Sequence, residues 1–217
     1  MDNQAGARQP YRIVTPPSAA TMACKRAFDI LCSFLGLTVL SPVLLVVSVL
    51  VAVTSPGGVF FRQERIGKDG KPFRIFKFRS MRKDNAGLKI TTGNDSRITP
   101  VGRFLRKSKI DELPQLINVL VGDMSFVGPR PEVADYVNLY TPYQRQVLLV
   151  RPGITGLASI RFRNENDLLT ASDDPNRTYV EQIMPQKIDL DLEYIPHASV
   201  FYDIKLIFQT FAVVIKE

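Results

Sequence analysis

Residues 37–46 read LTVLSPVLLV, a Ser-Pro pair inside an uncharged apolar run that extends from Ile30 to Val53. Those 24 residues make roughly 36 Å of α-helix at ~1.5 Å per residue, enough to cross a hydrocarbon core about 30 Å thick. Pro42 has no N–H for the carbonyl of Thr38, and its ring crowds that carbonyl. The pattern predicts a kink there, with the Ser41 hydroxyl taking up a freed carbonyl. Each half is then about 12 residues, roughly 18 Å, too short to cross alone. The residues leave two arrangements open: a kinked span, or a chain that enters the membrane and turns back.

The flanks bear on that choice. Lys25 and Arg26 precede the run, and Arg62, Arg65, Lys68, Lys71, Arg74, Lys77, Arg79, Arg82 and Lys83 follow it, against Glu64 and Asp69. Lys and Arg near membrane segments favour the cytoplasmic side. A hairpin would satisfy both basic flanks.

The chain has 217 residues, a net charge of +7 and a pI near 9.5, which fits one domain plus a membrane element. The charge suits anionic lipid, nucleotide or nucleic acid without choosing among them. The apolar run starts behind about 20 tail residues without a small-residue cleavage site, so it reads as a retained anchor. Cys24 and Cys32 read as reduced, small apolar residues. A single histidine, His197, and the lack of paired Cys spacing remove the usual zinc sites and make a Ser-His-Asp triad improbable. Neither G-x-G-x-x-G nor G-x-x-x-x-G-K-[ST] occurs. The chemistry must rest on carboxylates and basic residues, with or without a hard metal.

Residues 1–20 read as a disordered tail. The membrane segment, 21–58, ends at Ser55-Pro56-Gly57-Gly58, and 59–217 form the remaining domain. VFFRQERIG and PFRIFKFRSM around Lys68-Asp69-Gly70-Lys71 predict a β-hairpin with an Asp-Gly turn. Residues 84–98 read as a loop. Thr99-Pro100 marks a helix start, as does Thr141-Pro142. In IDELPQLINVLVGD, Asp111 is a candidate N-cap, Pro114 fits the first turn, Leu113, Leu116, Ile117 and Leu120 recur at helical spacing, and Gly122 ends the helix. GPRPE and RPGITG are loops. The last apolar stretch, VFYDIKLIFQTFAVVI, places Asp203 and Lys205 on one side and either packs on the core or lies at a lipid surface.

Asp111-Glu112 is the sharpest candidate for chemistry. A helix start carries partial positive charge and free N–H groups, which would keep Asp111 ionised and hold a phosphate nearby. An ionised carboxylate beside a bound phosphate acts as metal ligand or nucleophile, and a cation must separate the like charges. Magnesium, which takes carboxylate and phosphate oxygens together, suits that place. Arg106 lies close in sequence, and Arg130 is flanked by Pro129 and Pro131, which restrict where it points. Arginine binds phosphate bidentately. Lys77 and Arg79 would share one strand face; a solvated or lipid-facing basic surface is the plainer reading of that pair.

With these residues assembled, the chain resembles the bacterial sugar transferase family, the monotopic polyprenyl-phosphate phosphoglycosyl transferases. The matching stretches are KRAFDI, the Ser41-Pro42 break, SPGGVFFRQERIG, FKFRSM, DELPQLINVLVGDMSFVGPRP and RPGITG, covering most of residues 25–156. DELPQL followed by GDMS-x-VGPRP is the most specific. The resemblance implies a mostly helical α+β protein: a re-entrant membrane helix hairpin broken at Ser41-Pro42, a cytoplasmic catalytic domain with a short β-hairpin, and interfacial amphipathic helices. It implies transfer of a sugar phosphate from a UDP-sugar to polyprenyl (undecaprenyl) phosphate, with release of UMP, as the first membrane step of surface glycan assembly. Asp111 would be the nucleophile and Glu112 a magnesium ligand or an aid to the acceptor, with Asp111 and Glu112 both at the metal. Arg106 and Arg130 would bind phosphates and nucleotide, and Lys77 and Arg79 match the family's KFR motif. The expected place is the cytoplasmic face of a bacterial inner membrane, with lipid and both substrates as partners, no nucleic acid, and room for a homodimer. LASIRFRNENDLL, after RPGITG, departs from the Gln-Val-Asn pattern of many members, which bears on the donor sugar. Residues 161–199 suggest no chemistry of their own.

Two other readings compete. A non-catalytic membrane protein would use the basic run 62–83, interleaved with Phe73, Phe76 and Phe78, to bind anionic lipid or nucleic acid. A simple glycosyl transferase would use the same sugar donor but release UDP.

Overall fold

The computed structural model describes residues 13–55, 57–82 and 97–215. The expected loop at 84–98 falls almost wholly outside them, as do residues 1–12 of the expected tail. The rest of that tail is placed: Val14 is buried and its N–H donates to Gln146 Oε1 at 2.7 Å, and Ser18 caps a helix starting at Ala19.

That helix, α1 (Ala19–Thr54), is continuous through Pro42. It is the one described helix long and apolar enough to cross a membrane by length and composition. Ser41 Oγ donates to the Thr38 carbonyl at 2.8 Å, the acceptor that Pro42 leaves without its N–H, as expected. Leu35, Val39, Val43, Leu45 and Val46 are exposed around the proline, whereas both arms of the helix pack on one body.

The first arm is held by polar groups. Lys25 is buried, and its ammonium donates to Ser125 Oγ (2.6 Å), the Val127 carbonyl (3.0 Å) and Asp203 Oδ2. All three of its donors are thereby used. Asp203 also accepts from Tyr194 OH at 2.7 Å, and Asp29 Oδ1 accepts from Ser125 Oγ and Phe126 N. The charge read as a membrane flank at Lys25 is therefore spent inside the fold. The second arm buries Val47 and Val51 against Phe78 and Leu105.

Strands β1 (Phe60–Ile66) and β2 (Pro72–Phe78) form the expected antiparallel hairpin. Asp69 (φ 57°) and Gly70 (φ 73°) take the left-handed backbone that an Asp-Gly turn supplies. Helix α2 (Pro100–Lys107) starts as expected, with Thr99 Oγ1 accepting from Gly102 N. Helix α3 is shorter than expected: it spans Gln115–Val121 with Pro114, not Asp111, at its cap, and Gly122 (φ 101°) ends it. A separate 3-10 turn, Ile110–Glu112, carries the acidic pair. The buried face of α3 includes Gln115 and Asn118. Asn118 accepts from Phe76 N and donates to the Arg74 carbonyl, both at 2.9 Å, so it bonds the main chain of β2.

A second sheet that the sequence pattern did not suggest pairs β3 (Ser125–Val127) with β4 (Gly153–Thr155) in parallel. Between and after these lie α4 (Ala134–Val137), α5 (Leu157–Arg161), α6 (Glu165–Thr170) and α7 (Pro175–Thr178). At Thr141-Pro142 the helix is a 3-10 segment, Gln144–Leu149, capped by reciprocal bonds between Thr141 and Gln144. A π-turn, Tyr179–Ile183, leads into α8 (Met184–Tyr194), and α9 (Val200–Ile215) closes the chain. The main core joins Val127, Tyr136, Val150, Ile183, Ile188, Tyr194 and Leu206. Asp203 faces that core while Lys205 is exposed, so the two do not share a side, and Phe201, Phe208 and Phe211 of α9 stand exposed. The architecture is thus the expected mostly helical α+β class. Cys24 and Cys32 are free, and the His197 ring lies edge-on to Tyr202 at 6.3 Å.

Candidate active site

The chain reverses sharply before the acidic pair because Lys109 adopts left-handed backbone (φ 57°). Asp111 then points into the protein, 7% exposed, and Glu112 follows it. Glu112 Oε1 receives Lys77 Nζ at 2.8 Å and Arg130 Nη2 at 3.1 Å. Burial alone would raise the Glu112 carboxyl, but the charges of Arg130 and Lys77 and their hydrogen bonds outweigh it and hold the group well below the usual carboxylate range. Asp111 is pushed the other way. Burial and the Glu112 charge raise it, and Lys77, Arg106 and Lys109 only partly offset them. The expectation that a helix start keeps Asp111 ionised therefore does not describe this geometry: the turn is 3-10, and desolvation dominates. The result is two adjacent carboxyl groups with oppositely shifted affinities for a proton, the pattern that separates roles in a catalytic pair.

Lys77, Arg106, Asp111, Glu112 and Arg130 thus come together from β2, α2, the 3-10 turn and the GPRP loop. Arg79 does not join Lys77 there: its Nε and Nη2 donate to the carbonyls of Gly58 (2.9 Å) and Phe60 (3.3 Å), binding the base of the hairpin. Arg106 also lies 3.5 Å from Met81 Sδ. Ser41 and Pro42 lie on exposed helix away from this cluster.

The Arg130 loop is fixed by backbone packing. Gly128 N donates to the Thr155 carbonyl and Gly153 N to the Pro129 carbonyl. A Cβ on Gly153 would fall 2.1 Å from Gly128 N, and one on Gly128 would fall 2.4 Å from the Arg151 carbonyl oxygen. GPRP and RPGITG therefore meet main chain to main chain, an approach only glycine allows.

Further charged groups surround Arg130 that sequence reasoning missed. Arg65 Nη1 donates to the Pro131 carbonyl at 3.2 Å and lies 3.5 Å from Glu132 Oε2. Tyr179 OH donates to Glu132, and Lys187 Nζ pairs with Glu165 at 2.8 Å. Burial pushes the Asp191 carboxyl up to about 8, against the pull of Lys187 and of the main-chain amides of Arg130 and Ala158. Arg65 and Glu132 stand in recognisable motifs and were within reach. Tyr179, Lys187 and Asp191 come from 161–199, where no spacing marks them.

Among the described residues no three His, Cys, Asp or Glu side chains come together as metal ligands. The Asp111–Glu112 donor set nevertheless fits magnesium, which is held by one or two carboxylates together with substrate phosphates and not by an all-protein cage. A buried carboxyl raised by its neighbour is also short of positive charge.

Comparison with known proteins agrees with this arrangement. The UDP-glucose:undecaprenyl-phosphate glucose-1-phosphate transferase of Escherichia coli (strain K12) is 44% identical over 202 residues, 90% of this chain and 41% of that protein. The UDP-N-acetylgalactosamine-undecaprenyl-phosphate N-acetylgalactosaminephosphotransferase of Aeromonas hydrophila is 38% identical over 199 residues, 89% of this chain and 44% of that protein. The exopolysaccharide production protein PSS of Rhizobium leguminosarum bv. phaseoli is 41% identical over 199 residues, 87% of this chain and 94% of that protein. The chain spans about two fifths of the first two and nearly all of the third. The bacterial sugar transferase profile matches residues 20–217, and the chain belongs to that family.

Proposed function

We propose that the chain transfers a sugar phosphate from a UDP-sugar to a polyprenyl phosphate at a membrane surface and releases UMP. The observation that carries this reading is the buried Asp111–Glu112 pair ringed by Lys77, Arg106, Lys109 and Arg130, on a body joined to an apolar helix. A carboxylate among cations is suited to meet a diphosphate, and the relatives' names place UDP-sugars and undecaprenyl phosphate as substrates of similar proteins.

In this reaction an Asp111 oxygen attacks the β-phosphorus of the UDP-sugar. The bond from that phosphorus to the bridging oxygen breaks, and UMP leaves with the oxygen and the electron pair. The sugar phosphate remains on Asp111 as an acyl phosphate. A phosphate oxygen of the polyprenyl phosphate then attacks the same phosphorus, and the Asp111 carboxylate departs. Arg106, Lys77 and Arg130 hold phosphate oxygens, and Glu112 keeps Lys77 and Arg130 in place. Arg79 serves the hairpin base. Asp111 and Glu112 would hold the magnesium ion, which when bound supplies charge neutralisation on the diphosphate.

We further infer that α1 is re-entrant, entering and leaving one leaflet with the catalytic body on the cytoplasmic side. This is supported by the exposed apolar middle around Ser41-Pro42, by the contact of both arms with one body, and by the basic residues of the hairpin. Exposed Phe201, Phe208 and Phe211 of α9 would lie at the same interface.

The decisive experiment incubates purified protein with undecaprenyl phosphate and a panel of UDP-sugars, with and without magnesium, and separates UMP from UDP. UMP with one or a few donors, only when magnesium is present, is expected. UDP would mean simple glycosyl transfer and a different role for Asp111.

A further inference from the structure

The hairpin register sets Phe61 opposite Lys77, Gln63 opposite Ile75 and Arg65 opposite Phe73. Directly opposed residues of an antiparallel pair share one face. Most of this face is covered: Ile75 is buried against Val119 and Met124, and Phe73 packs beside it. The cover stops at the last pair. Phe61 is 44% exposed, while the ammonium of its cross-strand partner Lys77 reaches into the site at Glu112. A large apolar ring therefore stands open beside an active-site cation.

Its position is firmly held. Arg79 N donates to the Val59 carbonyl at 2.9 Å, and the Arg79 guanidinium binds the carbonyls of Gly58 and Phe60. The neighbouring Phe60 ring stacks on Phe78 at 5.6 Å, and Phe78 is buried with Val47 and Val51 of α1. Phe61 thus continues the apolar surface of the membrane helix up to Lys77. The apolar and cationic groups lie in the order in which a prenyl phosphate presents its chain and its phosphate.

We propose that Phe61 contacts the first isoprene units of the polyprenyl phosphate acceptor while the adjacent cations take its phosphate. This rests on the transfer reaction proposed above. A uracil ring would also stack on an aromatic side chain. The continuity with the lipid-facing helix favours the prenyl chain.

The test uses Phe61→Ala and Phe61→Leu in the full chain, with undecaprenyl phosphate and a short, water-soluble prenyl phosphate as alternative acceptors. Phe61→Ala should raise KM for both acceptors about tenfold or more, with KM for the UDP-sugar within about twofold and kcat at saturating acceptor nearly unchanged. Phe61→Leu, still apolar, should recover part of the loss, and liposome flotation should be unaltered. An unchanged acceptor KM would overturn the proposal. So would a raised KM for the UDP-sugar, which would assign Phe61 to uracil. A loss confined to the long acceptor with weaker flotation would assign it to general lipid contact. Wild-type protein that releases no UMP would defeat the parent reaction and this proposal with it. An alanine variant identical to an active wild type would defeat this proposal alone.

Discussion

Lys77 Nζ lies 2.8 Å from Glu112 Oε1 across 35 residues of sequence, and this contact ties the β-hairpin to the turn that carries Asp111. Arg130 Nη2 reaches the same oxygen at 3.1 Å, so three separate segments meet on one atom. The pairing commits the Glu112 charge to its two cations and leaves Asp111 as the carboxyl of raised proton affinity beside it. One member of the acidic pair is thus suited to organise the site, the other to react.

Asp111→Asn keeps the size of the side chain and removes its nucleophilic oxygen anion. Turnover measured as UMP release should fall by about a thousandfold or more, with circular dichroism and liposome flotation unchanged. Near-native turnover would remove Asp111 from the nucleophile role.

Glu112→Ala strands Lys77 and Arg130 in a desolvated site. Breaking a buried charge pair from one side costs about 3 kcal/mol or more, so Tm should fall clearly. Lys77→Met in the same chain should restore part of the loss, because it removes one of the stranded charges. A double variant as unstable as the sum of the singles would show that Lys77 and Glu112 are not coupled.

Asp191 gives a pH signature. Its carboxyl is raised to about 8 by burial, so the folded chain keeps a proton that the unfolded chain releases above about pH 4. The folded state therefore loses stability as pH rises from about 4 to about 8, and the contribution is flat above that. Between pH 5 and 8.5 the Tm of the wild type should fall by about 4 °C or more beyond that of Asp191→Asn, which cannot ionise there. Parallel Tm profiles would refute the raised affinity.

The re-entrant path predicts that both flanks of α1 lie on one side of the membrane. A cysteine placed in the first residues of the chain and another at Gly87, each in a background without Cys24 and Cys32, should respond alike to an impermeant thiol reagent in intact cells. Labelling of one and not the other would establish a spanning helix.

Much of this fold was legible because its signals are local. An uncharged apolar run, Thr99-Pro100 and Asp69-Gly70 each act through backbone sterics and capping within a few residues, and α1, α2 and the hairpin formed where those signals stand. Asp111-Glu112 was legible for the same reason, although its secondary structure was not: Pro114 moved the helix start, and Lys109 in left-handed backbone turned the acidic pair inward. The parallel pairing of β3 with β4 left no trace in either segment, because three-residue strands carry too little periodicity and their partner is remote.

The sequence by itself determined the long apolar helix, the hairpin, the acidic pair and the arginine between two prolines, since these follow from composition and short-range geometry. Only the tertiary structure decided which cations belong to which carboxylate. Lys77 and Arg79 are alike in sequence, yet one reaches Glu112 and the other binds the Gly58 and Phe60 carbonyls. Lys25 reads as a membrane flank and is an interior partner of Asp203. Charge acts through space and burial, and both are properties of the folded chain: desolvation raises Asp111 and Asp191, and neighbours distant in sequence lower Glu112.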